Sequence, residues 1–327
     1  MLLKYLPTEP KIGFMKLRFG AFALSLVLII ASIAMVATRG LNFGIDFVGG
    51  VVIEIETSTK VDIGEIRDAL SELDLDGVEV TEIKDNLVAE ETGTTIALIK
   101  TKAPDAEGEA VEAAVQATAS GILSALKDKF GDIEERRKEA VGPKVSGELL
   151  QDGIMALVVA LGLMLLYIWF RFQWQFSIGA VLALIHDVIL TIGMFAVTQF
   201  EFNLSTIAAL LTIVGYSMND TVVVYDRVRE EMRRYKKMSD TDVIDMSINR
   251  TLSRTLLTSG TTLLALFSIF LLGGEVLRGF SFAMIWGVFI GTYSSIFIAS
   301  AILLHTGLRR GSIGGGENEN APHGAQV

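Results

Sequence analysis

The chain has 327 residues, of which 51% are hydrophobic and 20% are charged, and its mean hydropathy is +0.49. The net charge of -10 excludes a protein that coats nucleic acid, because phosphate binding needs a basic surface. The sequence has no cysteine, which excludes disulfides and thiolate chemistry, and with three histidines we do not expect a His-built metal site. This composition indicates a membrane protein whose chemistry rests on carboxylates.

Six apolar stretches are long enough to cross a hydrocarbon core about 30 Å thick, which takes about 20 helical residues. They cover about 19–37, 153–170, 176–197, 204–225, 255–272 and 280–304. The first follows a basic segment, as in a signal peptide, but its 19 apolar residues exceed a usual signal core, so we expect a retained helix. The pair Gly287 and Gly291 in the last stretch is a weak sign of close helix packing.

The orientation follows from the positions of Lys and Arg in short loops. One side has four basic residues before the first span, Arg171, eight basic residues over 227–254, and Arg309 with Arg310. The short loops of the other side have only Arg278. We therefore expect both termini in the cytoplasm and residues 39–150 outside.

These boundaries divide the chain into seven predicted parts. They are a cytoplasmic N-terminus (1–18), transmembrane helix 1 (19–38), an external α+β domain (39–150), transmembrane helices 2–4 (151–226), a basic cytoplasmic loop (227–254), transmembrane helices 5 and 6 (255–305), and a disordered cytoplasmic tail (306–327).

The external part differs from the rest of the chain in charge. Residues 39–150 have 24 acidic and 12 basic side chains, whereas the remainder has 14 acidic and 16 basic. Apolar and polar residues alternate over 48–56, which predicts a strand, and a helical spacing of apolar residues begins after Asp62. Strands over 78–83, 94–99 and 133–141, an acidic turn around 90–93 and an Ala-rich helix over about 107–129 complete the order βαββαβ. This order predicts a ferredoxin-like fold, from which no function follows.

The loop 227–254 begins with a basic run that anchors a helix end at anionic lipid. Ser239 and Asp242 form a helix-start pattern, and Ile244, Ile248 and Leu252 recur every four residues. We expect an amphipathic helix on the membrane surface.

Ionisable groups at membrane depth are costly, by about 2.5 to 3.5 kcal/mol on insertion scales, and are functional candidates. They are His186 and Asp187 in the third span, Asp220 beside Asn219 in the fourth, and Arg254 at the start of the fifth. Asp220 and Arg254 are roughly 24 Å and 27 Å from the outer ends of adjacent antiparallel helices, so the two can pair. Asp187 is roughly 16 Å from the cytoplasmic side, near mid-membrane.

Hydroxyl residues share faces with these groups. Thr212 and Tyr216 line the face of Asp220, and Thr258 lies one turn from Arg254, so these side chains are candidates for a proton path. The alternative is that each Thr hydroxyl bonds back to its own helix. Static pairing of Asp220, snorkelling of Arg254, and a purely structural His186–Asp187 pair are further alternatives.

The sequence contains no phosphate-binding loop, no H-E-x-x-H and no G-x-S-x-G motif. We therefore expect no enzyme and no cofactor, and energy from an ion gradient or a partner.

Several motifs are similar to those of the SecF family of protein-export membrane proteins, in the resistance-nodulation-division (RND) superfamily, and the resemblance covers nearly the whole chain. They are Gly40-Leu-Asn-Phe-Gly-Ile-Asp46-Phe-Val-Gly-Gly50, Val141-Gly-Pro-Lys-Val-Ser-Gly-Glu148, His186-Asp187-Val, Gly215-Tyr-Ser-Met-Asn-Asp220 and Asn249-Arg-Thr-Leu-Ser-Arg254.

The resemblance implies a multi-pass subunit of the bacterial inner membrane with six helices of RND type. It would work with SecD as a separate polypeptide, with YajC and beside the SecYEG channel, and would use H⁺ or Na⁺ flow to pull preproteins outward. Asp220 would carry the ion and Arg254 would regulate it. Asp46, Gly49 and Gly50 would form a hinge, although the two glycines also suit a crowded strand start.

Two other functions fit the same sequence. One is half of an RND exporter of small molecules or lipids, which usually has larger external domains. The other is a scaffold subunit that conducts nothing.

Overall fold

The computed structural model describes residues 10–73, 75, 77–83, 94–102 and 110–306. The predicted tail beyond residue 306, the acidic turn at 90–93 and the start of the Ala-rich helix at 107–109 lie outside the described residues. After a 3-10 turn at Phe14–Leu17, the elements in chain order are α1 (Arg18–Arg39), α2 (Ile45–Val48), β1 (Gly50–Thr57), α3 (Ile63–Ser71), β2 (Glu79–Glu82), β3 (Thr95–Lys102), α4 (Ala110–Phe130), β4 (Ile133–Val141), α5 (Pro143–Arg171), α6 (Trp174–Thr198), α7 (Leu204–Arg234), α8 (Asp240–Leu272), α9 (Gly274–Ser294), a π-helical turn (Ser295–Ala299) and α10 (Ser300–His305).

Six helices of the described chain are long and apolar enough to cross a membrane, which makes the protein a multi-pass membrane protein. They are α1, α5, α6, α7, α8 and the continuous rod formed by α9, the π-helical turn and α10. In α6, α7 and the last rod, 61%, 56% and 67% of the central apolar window is buried, against 11% to 17% in α1, α5 and α8. α6, α7 and the last rod therefore form the centre of the bundle.

Glycines bring the last rod close to α7. A Cβ on Gly287 would lie 2.3 Å from Ile213, and one on Gly291 would lie 3.0 Å from Ser217. Since real Cβ atoms do not approach so closely, only glycine fits at Gly287 without movement of the neighbouring helix. This contact places Ser217 against the rod.

The predicted surface helix is wrong as a separate element. α7 continues to Arg234, and α8 is one helix that starts at Asp240, where the Ser239 hydroxyl accepts a hydrogen bond from the amide of Asp242. The connection between the two helices is therefore five residues long, not the predicted 28-residue loop. Ile244 and Ile248 are buried in the protein core with Phe14 and Met15, so their apolar face packs on protein instead of lipid.

The external part contains a four-stranded antiparallel sheet in the order β2-β3-β1-β4. Ile53 and Ile55 of β1 are fully buried beneath Ile66 of α3 and Leu126 of α4, because alternate residues of a strand point to the same face. Each predicted strand and helix of this part is observed within a few residues of its expected bounds, and Asp62 caps α3 through the amide of Gly64 at 2.7 Å.

The sheet domain lies at the end of the bundle where α6 ends and α7 begins. Backbone hydrogen bonds join Gly44 and Asn42 to Phe202 in the loop between α6 and α7. An ion pair joins Lys100 of β3 to Glu201 of the same loop. The sheet domain is thus joined to the membrane bundle both by the segment before α2 and by β3.

Candidate functional site

A buried carboxylate occupies the centre of the bundle. Asp187 of α6 is 1% exposed and forms hydrogen bonds with three neighbours. His186 Nδ1 lies 2.9 Å from Oδ1, while the Ser217 and Ser294 hydroxyls lie 2.6 and 2.8 Å from Oδ2. α6, α7 and α9 therefore meet at this group, which places the predicted pair His186–Asp187 inside a polar cluster.

The cluster continues from the imidazole to α1. His186 Nε2 lies 3.1 Å from the Ser25 hydroxyl, which lies 2.9 Å from the Tyr293 hydroxyl. Tyr293 in turn donates to the carbonyl of Ala21 at 2.9 Å. Ser25 is only 4% exposed, so this chain of polar atoms runs through the protein interior.

The second carboxylate lies on α7, three residues after Ser217. Asp220 is 9% exposed, and its Oδ1 accepts a hydrogen bond of 2.7 Å from the Thr255 hydroxyl of α8. Its Oδ2 is buried and has no hydrogen-bond partner among the described residues. A buried carboxylate oxygen without a donor is costly, so this atom is available to a proton or a cation.

Arg254 and Asn219 form no hydrogen bond with this carboxylate in the described structure. Both are exposed, and no ion pair within 4 Å joins Arg254 to Asp220 in the described structure. The predicted match in depth is observed, because Thr255, the neighbour of Arg254, contacts Asp220. The pairing itself is not observed: successive residues of a helix are rotated by about 100°, so the helix that turns Thr255 inward turns Arg254 outward.

The three proton-path candidates behave differently from one another. Thr212 and Thr258 bond back to carbonyls of their own helices, at 2.8 and 3.0 Å, as in the alternative considered for each. Tyr216 is half-buried and its hydroxyl donates to Ser259 at 3.4 Å, and Ser259 lies 2.8 Å from the Thr292 hydroxyl. Only Tyr216 of the three therefore joins a polar contact between helices.

The residues before β1 connect the sheet to the bundle. Asp46 Oδ2 accepts a hydrogen bond of 2.9 Å from the amide of Leu204, at the start of α7. Gly49 and Gly50 have φ of +79° and +149°, and a Cβ on Gly50 would lie 2.4 Å from the carbonyl oxygen of Thr101. The positive φ explains both glycines and crowding adds to it at Gly50, while their role as a hinge stays a prediction.

Sequence reasoning missed Ser25, Ser217, Thr255 and Ser294, which form hydrogen bonds with the two carboxylates or the imidazole. It also missed Tyr293, which is linked to the imidazole through Ser25. Serine and threonine are frequent in membrane helices and usually bond to their own backbone, so their spacing carried no signal. It also missed Glu231, a fully buried carboxylate that Arg227 of α7 approaches to 2.8 Å and that also pairs with Arg250 of α8.

The chain matches two family models, described as "Protein export membrane protein SecD/SecF, C-terminal" over residues 122–309 and "SecD/SecF GG Motif" over residues 34–61. It is 45% identical to the protein translocase subunit SecF of Rhodobacter capsulatus, over 94% of this chain and 92% of the relative. It is 41% identical to that of Vibrio alginolyticus, over 94% of both chains.

The fold is similar to the crystal structure of SecDF from Thermus thermophilus, described as a translocon-associated membrane protein. The TM-score is 0.75 at 34% sequence identity, over 91% of this chain and 39% of the SecDF chain. With the buried carboxylates, the six membrane helices and the matched motifs, these similarities show that the chain belongs to the SecF family of protein translocase subunits.

Proposed function

We propose that this chain is the ion-coupled SecF-type subunit of a Sec translocase, which uses a proton or sodium gradient to promote preprotein translocation across the bacterial inner membrane. Both termini lie in the cytoplasm, as the positions of the basic residues in short loops favour. The sheet domain then lies in the periplasm. Its strand order β2-β3-β1-β4 within the sequence βαββαβ supports a ferredoxin-like fold for it.

The observation that carries the proposal is the state of Asp220. One carboxylate oxygen is held by Thr255 and the other is buried without a donor, at a depth where ionisable groups are costly. Asp187 has both oxygens satisfied. Glu231 also has one oxygen without a hydrogen-bond partner, but two arginines pair with it, whereas no cation lies within 4 Å of Asp220 among the described residues. A half-satisfied carboxylate is suited to take up an ion and release it.

Arg254 is next in sequence to the residue that holds Asp220, and its long side chain is exposed at the rim of the same contact. A rotation of α8 would bring its guanidinium toward the carboxylate and displace the bound ion. This rotation gives Arg254 the regulating role that the family resemblance implies.

The bundle exposes polar groups that hydrocarbon would leave without partners. Asn219 of α7 and Arg254 of α8 are exposed in the chain alone. A partner with complementary membrane helices would cover them, and SecD, as the other half of a twelve-helix RND unit, is the partner that we propose. The SecYEG channel, YajC and the preprotein are the further partners of the same proposal.

The test is pulse-chase export of a preprotein in cells that lack this protein, complemented with wild type, Asp220→Asn or Asp226→Asn at equal membrane levels. Asp220→Asn keeps the shape and an oxygen for Thr255 but removes the negative charge. Asp226 is the control because it lies on the same helix, is half-exposed and pairs with Arg171 at 3.3 Å.

We expect wild type and Asp226→Asn to restore export and Asp220→Asn to fail. Restoration by Asp220→Asn would show that its charge is not used, and the protein would then be a scaffold. Restored export of a small molecule in place of the preprotein would instead support the exporter.

A further inference from the structure

A series of hydrogen bonds runs from the Ala21 carbonyl through Tyr293, Ser25 and His186 to Asp187, and its contacts fix the number of protons that it contains. Three contacts link His186 Nε2 to Ser25, Ser25 to Tyr293, and Tyr293 to the Ala21 carbonyl, at 3.1, 2.9 and 2.9 Å. Each contact needs one hydrogen atom between its two heavy atoms. The two hydroxyls supply two hydrogens and the carbonyl supplies none.

The third hydrogen must therefore come from His186 Nε2. If Nε2 had no proton, the hydroxyls of Ser25 and Tyr293 would have only two hydrogens for three contacts. Two lone-pair acceptors would then face each other in one of the contacts with no hydrogen between them. The count does not depend on which hydroxyl donates to which.

The other ring nitrogen adds a second requirement. His186 Nδ1 lies 2.9 Å from Asp187 Oδ1, and this contact also needs a proton, held by either atom. Imidazole and carboxyl together then hold two protons, and the pair has no net charge. In a membrane interior this is also the least costly state, because an isolated charge there is expensive.

Asp220 of α7 lies one helical turn from Ser217, which contacts Asp187, but its oxygens form no hydrogen bond with the pair among the described residues. Tyr293 is the titratable side chain that faces His186, with ring centroids 6.0 Å apart. The neighbouring stretches 19–38 of α1, 153–170 of α5, 204–219 of α7 and 279–299 of the last rod contain no Asp, Glu, Lys, Arg or His.

A sodium ion is not suited to this site. Both oxygens of Asp187 already form hydrogen bonds, with two hydroxyls and the imidazole, whereas a hard cation needs free oxygen atoms.

We propose that His186 and Asp187 form a proton-holding site, with one of its two protons on Nε2, and that Ser25 and Tyr293 are the positioning residues that keep that proton in place. The use of this proton in transport rests on the proposed function, whereas its position does not.

The test is ¹⁵N NMR of histidine-labelled protein in lipid bilayers at about pH 7.5, one unit above the ordinary histidine pKa of about 6.5. His305→Gln with His323→Gln leaves His186 as the single histidine. In the unaltered chain, the same signal is identified by its loss in His186→Gln. We expect a protonated Nε2, and an unprotonated Nε2 would overturn the proposal.

Tyr293→Phe tests the positioning role. Without the phenol hydroxyl, the hydrogen of Ser25 is free to face Nε2, so the count no longer requires a proton on the ring. We expect the ratio of protonated to unprotonated Nε2 to fall by about three- to tenfold, the effect of one hydrogen bond. Tyr167→Phe is the matched control, because Tyr167 is 54% exposed on α5.

An unchanged ratio in Tyr293→Phe would overturn the role of Ser25 and Tyr293. Because the readout is spectroscopic, a negative export result with Asp220→Asn would leave this result intact, and the two proposals can fail separately.

Discussion

At the scale of single residues, Gly50 shows how backbone geometry limits the sequence at the start of the sheet. Its φ of +149° is accessible to few residues other than glycine, and the Thr101 carbonyl occupies the place of a Cβ at 2.4 Å. The strain and the clash act together, because the carbonyl belongs to the neighbouring strand and cannot move alone.

We expect Gly50→Ala to destabilise the sheet domain by about 2 to 4 kcal/mol, from strained φ and steric overlap. The measurement is the urea dependence of proteolysis of the full chain in lipid. Gly121→Ala is the control: it lies within α4 with no atom within 4 Å of an added Cβ, so alanine should stabilise it by about 0.5 to 1 kcal/mol. Equal effects of the two substitutions would contradict this account.

At the scale of elements, the end of α7 and the start of α8 are joined by a buried acid. Glu231 is fully buried and pairs with Arg227 of its own helix and Arg250 of α8, whereas Glu230 beside it has a side chain that is 59% exposed and contacts the same Arg227 at 2.6 Å. Two adjacent glutamates therefore differ in burial and in whether they connect two helices.

We expect Glu231→Gln to destabilise the chain by about 2 kcal/mol, less than the loss of a fully buried pair because both arginines reach solvent. Glu230→Gln should change stability by less than about 0.5 kcal/mol, as for a surface pair. Thermal unfolding in detergent measures both. The interpretation fails if the two substitutions have the same effect.

At the scale of the whole molecule, the sheet domain contacts the bundle through one apolar cluster and several polar groups. Phe47 of α2 is buried against Phe202 of the bundle. The polar contacts include the backbone bonds around Phe202, the contact of Asp46 with Leu204, and the ion pair Lys100–Glu201, whose side chains are each 30% exposed. The partly exposed ion pair is more easily exchanged for water than the buried ring of Phe47, so it is the contact that can change most readily.

We expect Lys100→Glu to broaden the distance distribution between spin labels placed on α3 and on the outer end of α6, because like charges then face each other at position 201. Lys100→Glu combined with Glu201→Lys should restore the wild-type distribution. Double electron–electron resonance measures both. Failure of the double variant to restore it would show that the ion pair does not hold the domain.

The sequence by itself determined those features that depend on the length of apolar stretches, on the period of the apolar pattern, and on the free-energy cost of charge in a membrane. Six spans are readable because hydrocarbon thickness sets the length of a helix, and the order βαββαβ is readable because strands and helices differ in period. Asp187 and Asp220 are readable as candidates because a membrane carboxylate is too costly to lack a role. The matched depth of Asp220 and the start of α8 needed only the rise per residue.

What only the tertiary structure decided is which side chains meet. The rotation of each helix about its axis set Thr255 against Asp220 and turned Arg254 outward. Ser25 and Tyr293 reach His186 from positions far apart in sequence. Packing against Phe14 and Met15 also turned the predicted surface helix into the first turns of α8. Each of these contacts depends on how two helices pack together. The apolar pattern of one helix does not specify which face of the neighbouring helix it packs against.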